Sequence, residues 1–293
     1  MKNFIPREMK LQQFHKLLLR SVAPRPIALA STMDKDGNPN LSPFSFFNVF
    51  GLNPPTLIFS PSRRGRDNST KDTFENVKQH QEVVINVVTY AMVEQTNLSS
   101  NEYPSGVNEF EKSGFTPIAS DMVKPFRVKE SPVQFECLVK EVIETSQLPA
   151  AGNLVICEIV KIHVDENVLN EASGIDQDKI DLVGRLGGDL YCRTSGIAKF
   201  NVKKPGLTPG IGIDALHLKV RNSEILSGND LGKLGGLASF PDQKGIEKVT
   251  ASLEIKSFLT QAQNEEKAIH EFAKKLIQTG RTSEALCVLL SSQ

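Results

Sequence analysis

Two stretches of this 293-residue chain carry residue types that could do chemistry. The first runs Pro24-Arg25-Pro26-Ile27-Ala28-Leu29-Ala30-Ser31-Thr32, turns at Gly37, and returns as Asn38-Pro39-Asn40-Leu41-Ser42-Pro43-Phe44-Ser45-Phe46-Phe47-Asn48. Ser42, Ser45 and Asn48 stand there among phenylalanines, the makings of a flat apolar slot with hydrogen bonds along one edge. The alternative is that Phe44, Phe46, Phe47 and Phe50 are plain core. The second stretch runs Ser60-Pro61-Ser62-Arg63-Arg64-Gly65-Arg66-Asp67-Asn68-Ser69-Thr70-Lys71-Asp72-Thr73. Its hydroxyls and cations immediately precede a helical pattern, where free N–H groups and the positive end of the helix dipole favour an anion. Asp72 or Thr70 is placed to cap that helix, which leaves Lys71 and one arginine to neutralise the anion. A solvated basic loop is the ordinary alternative.

A slot for a flat ring beside a site for a phosphate is what flavin mononucleotide (FMN) requires, and the surrounding pattern bears on whether the two could be held together. Ile27 to Thr32 reads as a strand, Asp34 to Gly37 as a hairpin turn, and Asn40 to Ser42 as the returning strand. Further strand-like runs cover 56–60, 83–88, 133–139 and 154–162. They are separated by turns and by two helices, 72–80 and 91–99, without a regular alternation of strand and helix. An antiparallel barrel, closed or half-closed, is favoured over a parallel dinucleotide-binding sheet. The loop 101–124, with Pro104, Gly106, Gly114 and Pro117, reads as exposed and suited to a lid.

Composition narrows the function classes. Lys and Arg number 34 and Asp and Glu 34, so no global field draws the chain to nucleic acid or to an anionic membrane. Hydrophobic residues at 39% and charged residues at 23% can build a core. The first eight residues carry acid and proline where a signal peptide needs an apolar run, and no segment reaches membrane-spanning length; a cytoplasmic protein is expected. Cys137, Cys157, Cys192 and Cys287 are too scattered for a zinc ribbon or a disulfide scaffold, and the five histidines show no metal-ligand spacing, so no metal is assigned.

Beyond Lys199 the breakers Lys203-Lys204-Pro205-Gly206-Leu207-Thr208-Pro209-Gly210 mark a linker, dividing the chain into 1–200 and an α-rich extension, 201–293. In the extension Ile269, Phe272, Ala273 and Leu276 recur at helical spacing, Gly280 ends that helix and Thr282 starts the last one. These amphipathic helices are expected to pack on the barrel. Gly210-Ile211-Gly212 lacks the preceding strand of a dinucleotide fingerprint, and Gly228 to Leu234 is a residue short of a phosphate-binding loop.

The stretches quoted above, with Lys71-Asp72-Thr73 and Asn76, Val84 and Asn86, and Gly184-Arg185-Leu186-Gly187-Gly188-Asp189-Leu190-Tyr191, resemble the flavin reductase-like family over residues 1–200. The resemblance implies a mainly β (α+β) fold, the FMN-binding split β-barrel, here with a C-terminal helical extension. It implies a homodimer with FMN near the subunit interface and hydride transfer from NADH or NADPH to flavin N5, with no side chain needed as a general acid or base. Carried over by residue, Arg25, Pro26, Ile27, Ala28 and Ser31 with Ser42, Pro43, Phe44 and Ser45 line the ring and ribityl chain. Ser60, Arg66, Lys71 and Thr73 hold the phosphate, with the choice among Arg63, Arg64 and Arg66 open, and Arg185 and Tyr191 close the pocket. Ser42 stands where many relatives have alanine. The reading favoured is an NAD(P)H-dependent flavin reductase, serving an oxygenase partner in one version. The alternatives are a flavoredoxin-like electron carrier that does not use nicotinamide, and a non-catalytic FMN-binding module.

Overall fold

Alternating apolar residues in seven segments build one antiparallel sheet. Its strands are β1 (Ala28–Met33), β2 (Pro39–Phe44), β3 (Phe47–Leu52), β4 (Pro55–Phe59), β5 (Glu82–Val87), β8 (Val133–Glu144) and β9 (Asn153–Val164). The computed structural model describes residues 1–263 and 265–291. Strand order is β2-β1-β5-β8-β9-β4-β3. The two edges, β2 and β3, are consecutive in the chain and separated only by Ser45-Phe46, so the sheet must curl until its edges nearly meet. That is a barrel with a seam, and the phenylalanine-rich stretch crosses the seam. Phe47 to Leu52, read from the sequence as part of an aromatic loop, is therefore a strand. Its aromatic and β-branched residues suit a pleated edge better than a loop.

The β1–β2 turn forms as its residues dictate. Asp34 Oδ1 accepts the N–H groups of Asp36 and Asn38 at 2.9 and 2.8 Å, and Gly37 takes φ +88°, a conformation glycine adopts without steric penalty. Ala28, Ala30, Phe44, Leu57, Phe59, Val83, Ile85, Cys137, Val139, Val155 and Cys157 fill the barrel, joined by Val77 of helix α2 (Asp72–His80). Burial drives the Cys137 thiol up to about 12 and raises Cys157 as well, so both behave as apolar filler.

The opposite face of β1 is covered too. Ile27, Leu29 and Leu41 pack with Val88, Met92, Phe110, Phe115, Val128 and Val183. Phe110 belongs to α4 (Glu109–Ser113), which follows α3 (Val93–Leu98), and Val128 to β7 (Arg127–Val128), paired with β6 (Pro117–Ile118). The expected lid over 101–124 is exposed along most of its length but is pinned at points: Phe110 and Phe115 are anchors in this second core, and Ser113 and Val123 are buried as well. After the short helix α5 (Gln177–Ile180), the hairpin β10 (Val183–Gly187) and β11 (Leu190–Arg193) forms a separate two-stranded sheet. Gly184 is required there, because a Cβ would stand 3.0 Å from Pro24 Cβ and 3.3 Å from the Arg25 carbonyl oxygen. The first helix, α1 (Leu11–Ser21), buries no residue.

Residues Met1–Phe200 form one compact unit and the residues from Asn201 on a second. The second contains α6 (Leu218–Arg221), α7 (Gly228–Gly235), α8 (Gln243–Thr250), α9 (Leu253–Ala262), α10 (Glu266–Gln278) and α11 (Thr282–Ser291). Within this unit their apolar faces meet one another. Leu216, Val220, Leu226, Leu234, Ile255, Ile269, Leu276 and Leu286 make a core drawn from this unit alone, and Phe258 stacks on Phe272 with ring centroids 4.0 Å apart. Gly228 to Leu234 is a helix start, α7, closed by a capping box between Ser227 and Asp230. Among the described residues no helix is long and apolar enough to cross a membrane.

Candidate functional site

At the barrel seam a cavity of about 80 Å³ is lined by Ile27, Pro43, Phe44, Ser45, Thr96, Asn97, Ser100, Arg185 and Tyr191. Its apolar wall comes from the start of β1 and the end of β2, and its polar wall from the end of α3 and the β10–β11 hairpin. Two arginines frame it. Arg25 and Arg185 exchange backbone hydrogen bonds, the N–H of each donating to the carbonyl of the other at 3.0 and 2.9 Å. Arg25 Nε donates to Ser45 Oγ at 3.4 Å, and its Nη1 donates to the carbonyls of Leu19 and Val22. Arg185 Nη1 donates to Tyr191 Oη at 2.6 Å, and its guanidinium lies over the Tyr191 ring, 4.7 Å from the centroid.

Among the described residues neither arginine has a carboxylate within ion-pair distance. Burial, and then the charge of Arg185, lower the pKa of Arg25 from its ordinary value. Arg185 Nε is buried without a hydrogen-bond partner. The cavity therefore offers apolar walls together with uncompensated positive charge and a spare donor nearby, features that suit a flat ring with acceptors along one edge.

A second cleft adjoins the first through Ser100, which lines both. Its other walls are Asn40, Ser42, Arg64, Lys71, Asp72, Thr73, Ser99, Asn101, Glu102, Tyr103 and Glu109. Lys71 is the N-cap of α2 and accepts no capping bond there, because its side chain has no acceptor; the expected cap from Asp72 or Thr70 is not formed. The first turn of α2 thus faces the cleft without a side-chain cap, which favours an anion. Burial chiefly, and then repulsion from Arg64, lower the Lys71 ammonium from its ordinary pKa, while Glu102 acts the other way. Asn40 orders the floor, its Nδ2 donating to Thr73 Oγ1 at 2.9 Å and Thr32 Oγ1 at 3.1 Å. Glu109 Oε2 accepts the Leu41 N–H at 3.0 Å; burial above all raises its pKa.

The residues singled out from the sequence divide accordingly. Ile27, Pro43, Phe44, Ser45, Arg185 and Tyr191 meet at the first cavity, with Arg25 beside them, and Ser42, Lys71 and Thr73 meet at the second. Pro26 is exposed, Ala28 lies in the barrel core, and Ser31 is fully buried with no partner for its hydroxyl. Ser60 lines neither cleft: its Oγ accepts the Asn153 N–H at 3.1 Å and tethers the loop to β9. Arg66 projects outward to Glu102, and Arg63 is turned to Gln147 and Glu144, so the arginine brought to the cleft is Arg64. The reason is local. Arg64 Nη1 folds back to Ser69 Oγ at 3.0 Å and to the Thr70 carbonyl, which points it at the helix start. Sequence reading missed the polar run Thr96-Asn97-Leu98-Ser99-Ser100-Asn101, whose small polar residues at a helix end were the available signal.

One further cluster lies elsewhere on the barrel. Asp121, Glu136 and His163 bring three ligand atoms within 4.8 Å of one another. Their acceptors are engaged: Glu136 takes the N–H groups of Asp121, Met122 and Val123 at 2.9, 2.5 and 3.2 Å and contacts His163 Nε2 at 2.6 Å, while Lys161 Nζ reaches Asp121. The cluster clamps the segment before β7 onto β8 and β9.

Comparison with known proteins places these clefts in context. The profile described as "Flavin reductase like domain" matches residues 19–181. A protein of Aquifex aeolicus is 39% identical over 199 residues, covering 68% of this chain and 99% of its own length. Nitrilotriacetate monooxygenase component B from Bacillus cereus superimposes with a TM-score of 0.64 at 28% identity, over 69% of this chain and 98% of that one. A 2-nitrobenzoate 2-nitroreductase from Pseudomonas fluorescens does so at 0.63 and 27%, over 72% and 100%.

Proposed function

The chain belongs to the flavin reductase-like family, with its FMN-binding split-barrel fold, and from that premise we propose that it binds FMN across the two clefts and acts as an NAD(P)H-dependent flavin reductase. The observation that carries this reading is the adjacency, through the shared residue Ser100, of a cavity with one apolar wall and a cleft where Lys71 and Arg64 meet the uncapped start of α2. Bound there, FMN supplies a ring that accepts a hydride at N5. Everything else falls to the chain. Lys71 and Arg64 neutralise the phosphate, and Ser42 and Thr73 offer hydroxyls to it. Ile27, Pro43 and Phe44 exclude water from one side of the ring. Arg25 and Arg185 give the seam a positive potential, which stabilises the negative charge that hydride acceptance develops. Hydride transfer depends on close, oriented approach, so no general acid or base is assigned.

The two clefts, of about 80 and about 30 Å³, together fall well short of the roughly 300–1,000 Å³ of a complete small-molecule site. We assign the missing wall to a second copy of the chain. The edge strand β3 supports this, with Val49, Phe50 and Leu52 exposed by 56, 64 and 89%. The reductase role in a cytoplasmic two-component system, with an oxygenase consuming the reduced flavin, is supported by likeness to the monooxygenase component. Residues 1–200 are assigned the flavin chemistry, and 201–293 form an appendage with its own core.

The test is anaerobic stopped-flow spectroscopy of protein with FMN and either NADH or NADPH. Loss of nicotinamide absorbance in step with flavin bleaching is expected. Tight flavin binding with neither nicotinamide oxidised points to an electron carrier instead and overturns the reductase reading.

A further inference from the structure

We propose that Glu102 is a built-in competitor for the ligand's phosphate, holding Arg64 of the anion site, and Arg66 beside it, in the free protein and keeping bound FMN exchangeable; this rests on the FMN reading above. Glu102 lies in the exposed part of the segment between α3 and α4 and lines the same cleft as Lys71 and Thr73. Its Oε1 is 3.5 Å from Arg64 Nε and its Oε2 2.8 Å from Arg66 Nη2, so one carboxylate spans two of the three loop arginines. Lys71, by contrast, has no ion-pair partner among the described residues.

A phosphomonoester carries close to two negative charges near neutral pH and seeks the same cations. When it binds, either the Glu102–Arg64 contact is given up or the phosphate sits beside a carboxylate. Each outcome subtracts from affinity, because binding energy is measured against the free protein's own contacts. Riboflavin brings no phosphate and does not enter this competition. A site built this way holds FMN by its ring and its phosphate, yet releases it readily, as suits a flavin that leaves as a product.

The experiment is titration of FMN and of riboflavin by flavin fluorescence at low ionic strength, with FMN dissociation rates measured on the full chain. Glu102→Gln keeps the side chain's size and removes its charge. Exposed ion pairs set the scale, so FMN is expected to bind about two- to fivefold more tightly to the variant, mostly through slower dissociation, while riboflavin affinity is unchanged. No change or weaker FMN binding, or an equal shift for riboflavin, overturns the proposal. Lys71→Gln separates this from failure of the underlying reading. If wild type holds FMN no better than riboflavin and Lys71→Gln alters neither, the phosphate does not bind here and both readings fall. If Lys71→Gln weakens FMN alone while Glu102→Gln leaves FMN unaltered, only the competition is refuted.

Discussion

Arg25 and Arg185 illustrate how little of a residue's role is written in its type. Twenty-eight other arginines and lysines lie outside the loop cations and this pair; what singles these two out is that Arg185 lines the cavity and Arg25 borders it, and among the described residues neither has a carboxylate within ion-pair distance. Replacing Arg185 by Met keeps the bulk that covers Tyr191 and deletes the charge. Single preorganised donors in active sites are worth about 10²–10³ in turnover, and for a flexible arginine we expect about tenfold slower FMN reduction with a smaller change in flavin Kd, read by stopped flow. Glu136 is the counterpart in the scaffold, a carboxylate with no solvent exposure. Burial acts to raise its pKa, but the N–H groups of Asp121 and Met122 and the contact with His163 outweigh it and hold the group below its ordinary value. A depressed carboxyl stabilises the fold above its unfolded-state pKa, and that contribution fades as the pH falls below about 4 through the folded-state value. Glu136→Gln should cost about 2–3 kcal/mol at pH 7 and flatten the acid limb of a urea-denaturation pH series.

At the scale of elements, the β10–β11 hairpin does the positioning. It touches the barrel through the paired backbone groups of Arg25 and Arg185, and Gly184 lets the two approach. In Gly184→Ala the new methyl meets Pro24 and the Arg25 carbonyl, both on backbone that cannot swing aside. The hairpin is expected to shift and carry Arg185 from the cavity, with about 1–3 kcal/mol lost in thermal unfolding and a weaker flavin Kd. Unaltered flavin affinity would show that the hairpin does not complete the site. The edge strand β3 makes the same point for sequence reading: Phe44 and Phe47 lie at the ends of two strands on opposite sides of the seam, so a stretch that reads as one continuous aromatic segment is split by the barrel between two walls.

For the whole molecule, the proposed dimer is the decisive matter, because the reading above assigns part of the flavin pocket to a second copy of the chain. Phe50→Glu places a charge in the middle of the exposed β3 surface, where a partner would have to desolvate it. Sedimentation should give twice the 32.3 kDa chain mass for wild type and a shift toward the monomer for the variant, together with loss of flavin binding. A variant that stays dimeric would move the interface elsewhere.

The sequence by itself was enough for most of the barrel strands, though not for β3 or α4, and for the chemical character of the two stretches proposed to face a ligand. Strand alternation, the Asp34–Gly37 turn, the helix at 72–80 and the basic run before it are local properties, settled by side-chain periodicity and backbone preference within a few residues. It was also enough to set aside the glycine motifs near 210 and 228. Which arginine of 63, 64 and 66 faces the cleft, the use of Ser60 as a tether, the burial of Phe110 in what reads as a lid, and the meeting of Ser100 with both clefts were decided by tertiary structure. Those depend on contacts between residues tens of positions apart, and no local pattern records which distant partner a side chain will find once the sheet has curled.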